Sequence, residues 1–187
     1  MPDTKHGAFD PNFADKKTWK LDPGLWAAIQ ATLPDPPLNV LDLGCGLGRY
    51  VRALRERGYN ARGVDGIPGV AQKTAGVVLE VDLAAPAFFQ TSADWALSFE
   101  VGEHIPDERA GFYLDNVAAA AARGIITSWA YPGQRGRNHI NCQPADWVAE
   151  QFARRGWLVD MAKTDAARDI AGRGWNKKLL VLKPANR

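Results

Sequence analysis

Residues 38–50 read LNVLDLGCGLGRY, and this stretch decides the fold of the chain around it. Its first six residues, 38–43, are mostly apolar and β-prone, which predicts a short buried strand. The strand leads directly into Gly44, Gly46 and Gly48, and a helix is predicted to follow them. Glycines allow backbone conformations that are closed to other residues, and the start of the helix offers unpaired N–H groups. The stretch therefore predicts a ligand-binding loop between a strand and a helix.

Such a loop can hold a dinucleotide, a phosphate or another nucleoside ligand. A dinucleotide fingerprint has its third glycine one residue later than Gly48, and the loop lacks the Gly-Lys-Ser/Thr of a phosphate loop. The segment Asp42–Gly48 instead resembles the first motif of the class I S-adenosylmethionine-dependent methyltransferases. Because this cofactor carries no phosphate, an acidic residue beside the loop would not repel it electrostatically. The resemblance implies that S-adenosylmethionine binds at Asp42, Gly44, Cys45, Gly46 and Gly48.

Two more acidic residues follow apolar runs that are predicted to be strands. Asp65 ends the run YNARGVD, and an acid at this place can accept hydrogen bonds from both ribose hydroxyls of an adenosine. Asp82 ends the run VVLEVDL, and in the family this position resembles the acid that meets the adenine amino group, with Leu83 beside it. We therefore add Asp65, Gly66, Asp82 and Leu83 to the expected cofactor site.

A second motif lies at residues 96–106, which read ALSFEVGEHIP. It resembles the fourth motif of small-molecule methyltransferases, in which a strand ends in an acidic residue and Glu-His-Ile/Val-Pro follows. The resemblance implies that Phe99 and Glu100 lie beside the amino-acid half of the cofactor, while Glu103 and His104 face the reaction centre. Gly102 departs from the pattern, because a bulkier residue is more usual there.

The polar loop 131–143 follows the fifth predicted strand, at the edge where a substrate would enter. Methyl transfer needs aligned reactants and, for some acceptors, removal of a proton, for which histidine is suited near neutral pH. His139 is the first candidate for the proton acceptor and His104 the second. We expect the acceptor to be bound by Trp129, Gln134, Asn138 and Asn141.

Alternating strands and helices predict an α/β fold that is doubly wound, with a mainly parallel, seven-stranded Rossmann-like sheet and an antiparallel last strand. The expected strands are 38–43, 59–65, 77–83, 94–99, 124–129, 157–161 and 178–182. Helices are expected over about 24–33, 49–57, 106–122 and 144–156, with a short one near 84–89, whereas residues 162–176 show no clear pattern. Residues 1–37 are expected to form an N-terminal arm and helix that cover the cofactor edge of a single domain, 38–187.

The composition is that of an ordinary globular protein. The chain has 187 residues and a formal net charge of +2 without a basic cluster, so we expect no nucleic-acid partner. Its N-terminus is polar, and no apolar run is long enough to span a membrane. These two features predict a cytoplasmic location. The two cysteines and three histidines are too dispersed to suggest a metal site by spacing.

The sequence as a whole predicts an S-adenosylmethionine-dependent methyltransferase for a small molecule. We expect O-methylation of a hydroxylated or sugar-like compound, with N-methylation possible. One alternative is a non-catalytic S-adenosylmethionine-binding subunit of a larger assembly. A nicotinamide-dependent oxidoreductase is less favoured because of the glycine spacing. The acceptor and the oligomeric state stay open.

Overall fold

Seven strands and six helices make up the part of the chain that the structure, a computed structural model, describes: residues 21–87, 89 and 93–185. The strands are β1 (Asn39–Leu43), β2 (Asn60–Asp65), β3 (Val78–Glu80), β4 (Ala93–Phe99), β5 (Ala121–Ser128), β6 (Trp157–Val159) and β7 (Leu180–Pro184). The helices are α1 (Pro23–Thr32), α2 (Arg49–Glu56), α3 (Val70–Lys73), α4 (Ala110–Ala120), α5 (Ala145–Ala153) and α6 (Met161–Ala171), and short 3₁₀ turns occupy Gly102–His104 and Asp107–Arg109.

The strands form one sheet in the order β3-β2-β1-β4-β5-β7-β6. Strands β1 to β5 pair in parallel, whereas β7 runs antiparallel to both β5 and β6. The predicted fold class, with a mainly parallel sheet and antiparallel pairing at its end, is confirmed. Because parallel strands point the same way, the ends of β1, β2, β3, β4 and β5 meet at one edge, where ligands of such sheets bind.

The central strands β1 and β4 are largely buried on both faces, and this explains why they are mainly apolar, whereas β2 exposes Asn60 and Arg62. Side chains alternate between the faces, so Leu41 and Leu43 belong to the core under α4, while Val40 belongs to the core under α1, α2 and α6. Trp95 and Ile126 continue the second core on the neighbouring strands. Two layers of helices thus hold the sheet edge in a fixed position.

Helix α1 begins as the sequence predicts and packs on α6. The Asp22 side chain caps the helix by accepting a hydrogen bond of 2.8 Å from the backbone N–H of Leu25, and Pro23 occupies the first turn. A Cβ on Gly24 would lie 2.4 Å from the carbonyl oxygen of Ala171. The glycine therefore allows the two helices to approach closely. The part of the predicted arm before residue 21 lies outside the described residues.

The segment 162–176, which the sequence left unassigned, contains helix α6. Its N-cap is Asp160, whose side chain accepts from the N–H of Lys163, and its C-cap is Gly172 with φ of 80°. Only Thr164 and Ala167 of this helix are buried, so the apolar periodicity that usually reveals a helix is weak. The expected strand 157–161 is accordingly shorter, because Met161 already belongs to α6.

The short helix predicted near residues 84–89 is wrong over the described residues 84–87 and 89, which are non-helical. The Asn116 side chain binds the backbone there instead. Its Oδ1 accepts from the N–H of Ala87, and its Nδ2 donates to the carbonyl oxygens of Leu83 and Ala85. These bonds satisfy backbone groups that a helix would otherwise pair along its own axis.

The helix predicted over 106–122 is shorter than expected. It starts with the 3₁₀ turn Asp107–Arg109, continues as α4, and gives way at Ala121 to β5. The alanine-rich end suggested continued helix because alanine has a high helix propensity. Pairing of Ala121 with Ala93 of β4 overrides that preference. No helix among the described residues is long and apolar enough to cross a lipid bilayer.

Candidate functional site

The glycine loop folds over the end of β2. The N–H groups of Gly44 and Cys45 both donate to the carbonyl oxygen of Val64, at 2.8 and 3.2 Å. Gly44, Gly46 and Gly48 all have positive φ, at 77°, 57° and 73°, a region that residues with a Cβ adopt at a cost. The sequence prediction of a strand, a glycine loop and a helix at this place is confirmed.

The three glycines meet different surroundings. A Cβ on Gly44 would lie 2.3 Å from a Val101 methyl group, and one on Gly48 would lie 2.7 Å from Val78, so packing requires glycine at both. A Cβ on Gly46 would meet nothing within 4 Å. The loop therefore exposes its backbone to a ligand at Gly46, while Gly44 and Gly48 hold it against the protein.

Cys45 turns its side chain away from the loop and into the sheet. A Cβ on Gly63 of β2 would lie 2.5 Å from the Cys45 Sγ, so the thiol fills the space above that glycine. Burial raises the pKa of the thiol well above its ordinary value, and the nearby carboxylates of Asp42 and Asp65 add to this effect. Cys45 is thus a neutral packing group beneath the loop, and its backbone is the part available to a ligand.

Two carboxyl groups lie beside the loop. Asp42 is 2% exposed, and its Oδ2 has no hydrogen-bond partner among the described residues. Burial, reinforced by Asp65, raises the pKa of Asp42 to about 8. The Asp65 carboxylate accepts hydrogen bonds from the N–H groups of Gly46 at 2.7 Å and Ile67 at 3.0 Å. Burial raises the pKa of Asp65, and these backbone hydrogen bonds oppose the shift.

Asp82 and Leu83 reach the same edge from β3. The Val81 N–H donates to the carbonyl oxygen of Asp65, which joins the end of β3 to the end of β2. Asp82 is exposed, and its Oδ1 accepts a 2.8 Å hydrogen bond from the N–H of Ala84, while Leu83 is buried. Gly66 follows Asp65, and a Cβ there would meet just the Val81 carbonyl oxygen at 3.6 Å. The predicted cofactor residues of the first three strands therefore lie at one edge.

Glu100, at the end of β4, has φ of 55° and is held by several partners. Its Oε1 accepts from the Ser128 hydroxyl at 2.9 Å, and Ser128 Oγ accepts in turn from the N–H of Glu100. Its Oε2 accepts from Gln134 Nε2 at 2.8 Å and from Lys178 Nζ at 2.5 Å. The sequence placed Glu100 beside the cofactor, and the structure adds that it fastens β4, β5, the loop 131–143 and β7 to one another.

A row of aromatic rings crosses the same edge. Tyr50 lies at the start of α2 after the glycine loop, and its ring centroid is 6.3 Å from Trp26 of α1 and 6.0 Å from Phe99 of β4. The Phe99 ring is in turn 6.3 Å from Trp175. All four rings are half-buried. They form an apolar wall that α1 closes next to the glycine loop.

On the other side of Glu100, three titratable side chains form a group that we call the Glu-His-His cluster: Glu103, His104 and His139. One ligand-type atom from each lies within 4.8 Å of the other two. His139 Nε2 is 3.9 Å from Glu103 Oε1, and the two imidazole centroids are 5.1 Å apart. The structure therefore brings both predicted histidines together, beside the glutamate that precedes one of them.

The cluster is largely withdrawn from water. The Glu103 side chain is fully buried, and neither of its carboxylate oxygens accepts a hydrogen bond from a described residue. Burial, with the nearby Glu100, raises the pKa of Glu103 to about 8; the backbone N–H groups of Glu103 and Ala130 and the Lys178 ammonium group oppose the shift from nearby, although none of them is placed to form a hydrogen bond with the carboxylate. Burial lowers the pKa of His104, and a hydrogen bond between its Nδ1 and the Asn138 carbonyl oxygen opposes this.

Trp129 and Asn141, two of the expected acceptor-binding residues, lie in the interior. The Trp129 indole is 2% exposed and stacks edge-on against Tyr113 and Trp147, while its Nε1 donates to the Asn141 carbonyl oxygen. The Asn141 side chain donates to the carbonyl oxygen of Ile105 and accepts from Gln143. Both residues therefore hold the loop 131–143 in place from below, and their binding of the acceptor stays a prediction.

The unusual Gly102 is explained by Trp129. A Cβ on Gly102 would lie 2.4 Å from the Trp129 ring, so the indole occupies the volume that a larger residue would take. Of the remaining expected acceptor-binding residues, Gln134 is half-buried and Asn138 is exposed with φ of 57°. The sequence missed Lys178 and Ser128, because nothing in their local patterns shows that they will meet Glu100.

The chain belongs to the methyltransferase domain family, which matches residues 19–161. A probable chloroplastic tocopherol O-methyltransferase of Oryza sativa subsp. japonica is 25% identical over 182 residues, covering 86% of this chain and 50% of that protein. A ubiquinone biosynthesis O-methyltransferase of Ralstonia nicotianae is 30% identical over 112 residues, covering 54% and 47%. A 23S rRNA (uracil(1939)-C(5))-methyltransferase of Vibrio vulnificus is 27% identical over 118 residues, covering 63% and 26%. The chain thus spans half or less of the length of these curated relatives.

Solved structures show the same fold. A putative methyltransferase in complex with the Trm112 activator of Haloferax volcanii superposes with a TM-score of 0.66 at 18% identity, covering 94% of this chain and 95% of that one. The 1,6-didemethyltoxoflavin-N1-methyltransferase of Burkholderia thailandensis, solved with its acceptor and S-adenosylhomocysteine, superposes with a TM-score of 0.61 at 18% identity, covering 91% and 82%. The described sheet is therefore the Rossmann-like sheet of methyltransferases.

Proposed function

We propose that the protein is an S-adenosylmethionine-dependent methyltransferase that acts on a small molecule, at oxygen. The observation that carries the proposal is the open backbone at Gly46 flanked by Asp42 and Asp65, in a chain of the methyltransferase domain family. The cofactor, when bound, supplies an activated methyl group on a sulfonium. All that the protein must do is hold donor and acceptor in line and, where needed, accept a proton.

The residues of the glycine loop fit this cofactor. The buried Asp42 oxygen without a hydrogen-bond partner favours a positively charged group nearby, because a cation would stabilise the ionised carboxylate. The Asp65 carboxylate has lone pairs for ribose hydroxyls beyond those that it uses for Gly46 and Ile67. We assign the adenine end to Asp82 and Leu83, and the amino-acid end to Phe99 and Glu100.

Helix α1 and the aromatic row support an acceptor with a planar, partly apolar body. Trp26 brings α1 against Tyr50, which follows the glycine loop, as expected if residues before 38 cover the cofactor edge. Flat faces of Tyr50, Phe99 and Trp175 are suited to stacking against a ring. Gln134 and Asn138 supply polar groups on the other side. A hydroxylated ring compound matches both surfaces, and two relatives named as a tocopherol O-methyltransferase and a ubiquinone biosynthesis O-methyltransferase support methylation at oxygen.

His139 is the proposed proton acceptor, with His104 beside it. The carboxylate of Glu103 lies 3.9 Å from His139 Nε2, where it would stabilise the imidazolium that forms when the ring takes up a proton. The backbone supports this arrangement, since the Gln134 carbonyl oxygen lies 3.2 Å from His139 Nδ1. The ring is thereby turned so that Nε2 faces the carboxylate.

The test is formation of S-adenosylhomocysteine by the purified protein with a panel of phenols, catechols and hydroxyquinones. His139→Ala should lower turnover by roughly 100-fold or more, the usual contribution of general base catalysis, and leave cofactor affinity unchanged. Glu150→Gln, at an exposed position of α5, serves as the control and should keep full activity. Full activity of His139→Ala would remove His139 as the base. Cofactor binding without transfer to any acceptor would favour the non-catalytic subunit.

A further inference from the structure

We propose that the Glu-His-His cluster, Glu103, His104 and His139, binds a divalent transition-metal ion, with Zn²⁺ as the ion that its ligand types suit best. Two imidazoles and one carboxylate are the protein ligands of many catalytic zinc sites, which keep a fourth position open. The existence of this site does not depend on the proposed function. Its role does, since the ion would lie beside the acceptor.

The spacing of the ligand atoms is close to what an ion needs. In a tetrahedral site with bonds of about 2.0 to 2.2 Å, neighbouring ligand atoms lie about 3.4 Å apart. His139 Nε2 and Glu103 Oε1 are 3.9 Å apart, and all three ligand-type atoms lie within 4.8 Å of one another. Small side-chain rotations therefore suffice to bring the three groups onto one ion.

Both imidazoles are oriented in the way that metal-binding histidines usually are. His104 Nδ1 lies 3.0 Å from the Asn138 carbonyl oxygen, and His139 Nδ1 lies 3.2 Å from the Gln134 carbonyl oxygen. A carbonyl oxygen can only accept, so each Nδ1 carries the proton and each Nε2 carries the lone pair. Hydrogen bonds of this kind fix the tautomer and ring orientation of metal ligands.

The Glu103 carboxylate gives the second, independent observation. It is fully buried, and its two oxygens have no hydrogen-bond partner among the described residues. The buried Lys178 is already paired with Glu100. A buried carboxylate without a partner is costly, and a cation bound to it would remove that cost.

The backbone holds the three ligands together before any ion binds. The N–H groups of Ile140 and Asn141 both donate to the carbonyl oxygen of Glu103, at 2.9 and 3.0 Å. The loop that bears His139 is therefore tied directly to the residue that supplies the carboxylate. Gly136 is part of this arrangement, because a Cβ there would lie 2.0 Å from His139 Nε2. Such preorganisation is what a metal site requires of its scaffold.

In the proposed reaction, the ion would hold the hydroxyl oxygen of the acceptor and ease loss of its proton to solvent. The oxygen then forms its bond to the methyl carbon as the bond from that carbon to sulfur breaks. When the ion is bound, His139 is one of its ligands, and it is not needed as the base that removes the proton of the acceptor. Chelation tells the two roles apart: turnover that EDTA abolishes and Zn²⁺ restores identifies the ion, and turnover that EDTA leaves unchanged contradicts the proposal.

Binding itself is tested by calorimetric titration of the chelator-treated, full-length protein with Zn²⁺, and by visible absorption with Co²⁺ as a spectroscopic probe. We expect one ion per chain and intense bands of a tetrahedral Co²⁺ centre. Glu103→Gln and His139→Ala should each weaken Zn²⁺ binding by roughly 100-fold, whereas Glu150→Gln, at an exposed carboxylate of α5, should leave it unchanged. Thermal unfolding of every variant without metal shows whether each one folds.

Two results would overturn the inference: no Zn²⁺ binding by the folded wild-type chain, or binding that folded Glu103→Gln and His139→Ala both keep at the wild-type affinity. Titration of the same samples with S-adenosylmethionine separates this inference from the proposed function. Cofactor binding without Zn²⁺ binding removes the metal site alone. Zn²⁺ binding without cofactor binding keeps the metal site and removes the methyltransferase proposal.

Discussion

In the glycine loop at the sheet edge, some residues are needed for packing and others leave the backbone open to a proposed ligand. Gly44 and Gly48 leave room for Val101 and Val78, whereas Gly46 faces open space. Asp42 is buried without a full set of partners, and Asp65 already binds the loop backbone. Gly46 and Asp42 can each be tested by a single substitution, and Gly76 is a matched counterpart of Gly46.

Gly46→Ala should weaken S-adenosylmethionine binding by at least about tenfold, because the new methyl group would stand where the loop backbone meets the ligand. Gly76→Ala is the matched control. Gly76 also has positive φ, 77°, and open space around it, so both changes should cost about 1 to 2 kcal/mol of folding free energy. Calorimetric titration and urea unfolding give the two quantities. Equal cofactor affinity of the two variants would contradict the assignment of Gly46.

Asp42 predicts a pH dependence of stability. Burial and Asp65 raise its pKa from the ordinary 3.8 to about 8, so between these values the folded chain binds a proton more tightly than the unfolded chain. The contribution of Asp42 to the free energy of unfolding therefore decreases as pH rises through this window. Above about pH 8 this contribution no longer changes with pH. Between about pH 6 and pH 8.5, the wild type should lose about 1 to 3 kcal/mol relative to Asp42→Asn, measured by urea unfolding. Parallel pH profiles of the two proteins would show that the Asp42 carboxyl is not perturbed.

At the scale of elements, the packing of α1 on α6 sets the position of Trp26 at the aromatic row. Gly24→Ala should destabilise the protein by about 1 to 3 kcal/mol, because its Cβ would press on the backbone of Ala171. Gly111→Ala, on α4, is the control: its Cβ would approach just the Arg155 guanidinium, at 4.0 Å, and alanine should stabilise that helix by about 0.5 to 1 kcal/mol. Thermal unfolding measures both, and equal shifts would contradict the close contact of α1 and α6.

The elements also show what the sequence could predict. Strands β1 and β4 were predictable because both of their faces are largely buried, which makes them mainly apolar runs, whereas β2 exposes Asn60 and Arg62 and was marked by Gly58 before it and Asp65 at its end. Helix α6 was missed because it buries few side chains, although Asp160 and Gly172 mark its two ends. The false helix after β3 fails for another reason: its backbone is bound by Asn116, a residue almost thirty positions away.

The candidate site likewise contains residues that local sequence predicts and residues whose positions depend on distant parts of the chain. The proposed cofactor residues Asp42, Gly44, Gly46 and Asp65 stand in local motifs, so their proximity could be predicted from the order of the strands. The meeting of His104 and His139 depends on the path of the loop 131–143, and Trp129 lies inside the core because Gly102 leaves room for it. Contacts of this kind depend on the whole fold, and no local pattern encodes them.

At the scale of the whole molecule, Lys178 and Glu100 connect the last strand to the centre of the sheet. Lys178 is buried in the turn before β7, and its ammonium group pairs with a carboxylate that also binds Ser128 and Gln134. The pair therefore fixes the loop 131–143 relative to both halves of the sheet. An ion pair with additional hydrogen bonds of this kind costs most when one partner alone is removed.

Lys178→Met should lower the free energy of unfolding by about 2 to 3 kcal/mol, because it leaves the Glu100 carboxylate with one partner fewer in a partly buried place. Arg154→Met is the control, since the pair of Arg154 with Glu150 is exposed, 64% and 59%, and should contribute about 0.5 kcal/mol or less. Urea unfolding of both variants supplies the comparison. A loss in Lys178→Met no larger than that in Arg154→Met would show that this pair does not hold the fold together.

The central claim is that the glycine loop at the sheet edge binds S-adenosylmethionine. The most direct test is calorimetric titration of the purified protein with S-adenosylmethionine, S-adenosylhomocysteine and NAD in parallel. We predict micromolar binding of the two adenosyl ligands, about −8 kcal/mol, and none of NAD. Asp65→Ala should weaken the adenosyl ligands by about 2 kcal/mol through loss of a charged hydrogen-bond acceptor. Binding of NAD alone, or an Asp65→Ala variant with unchanged affinity, would contradict the account.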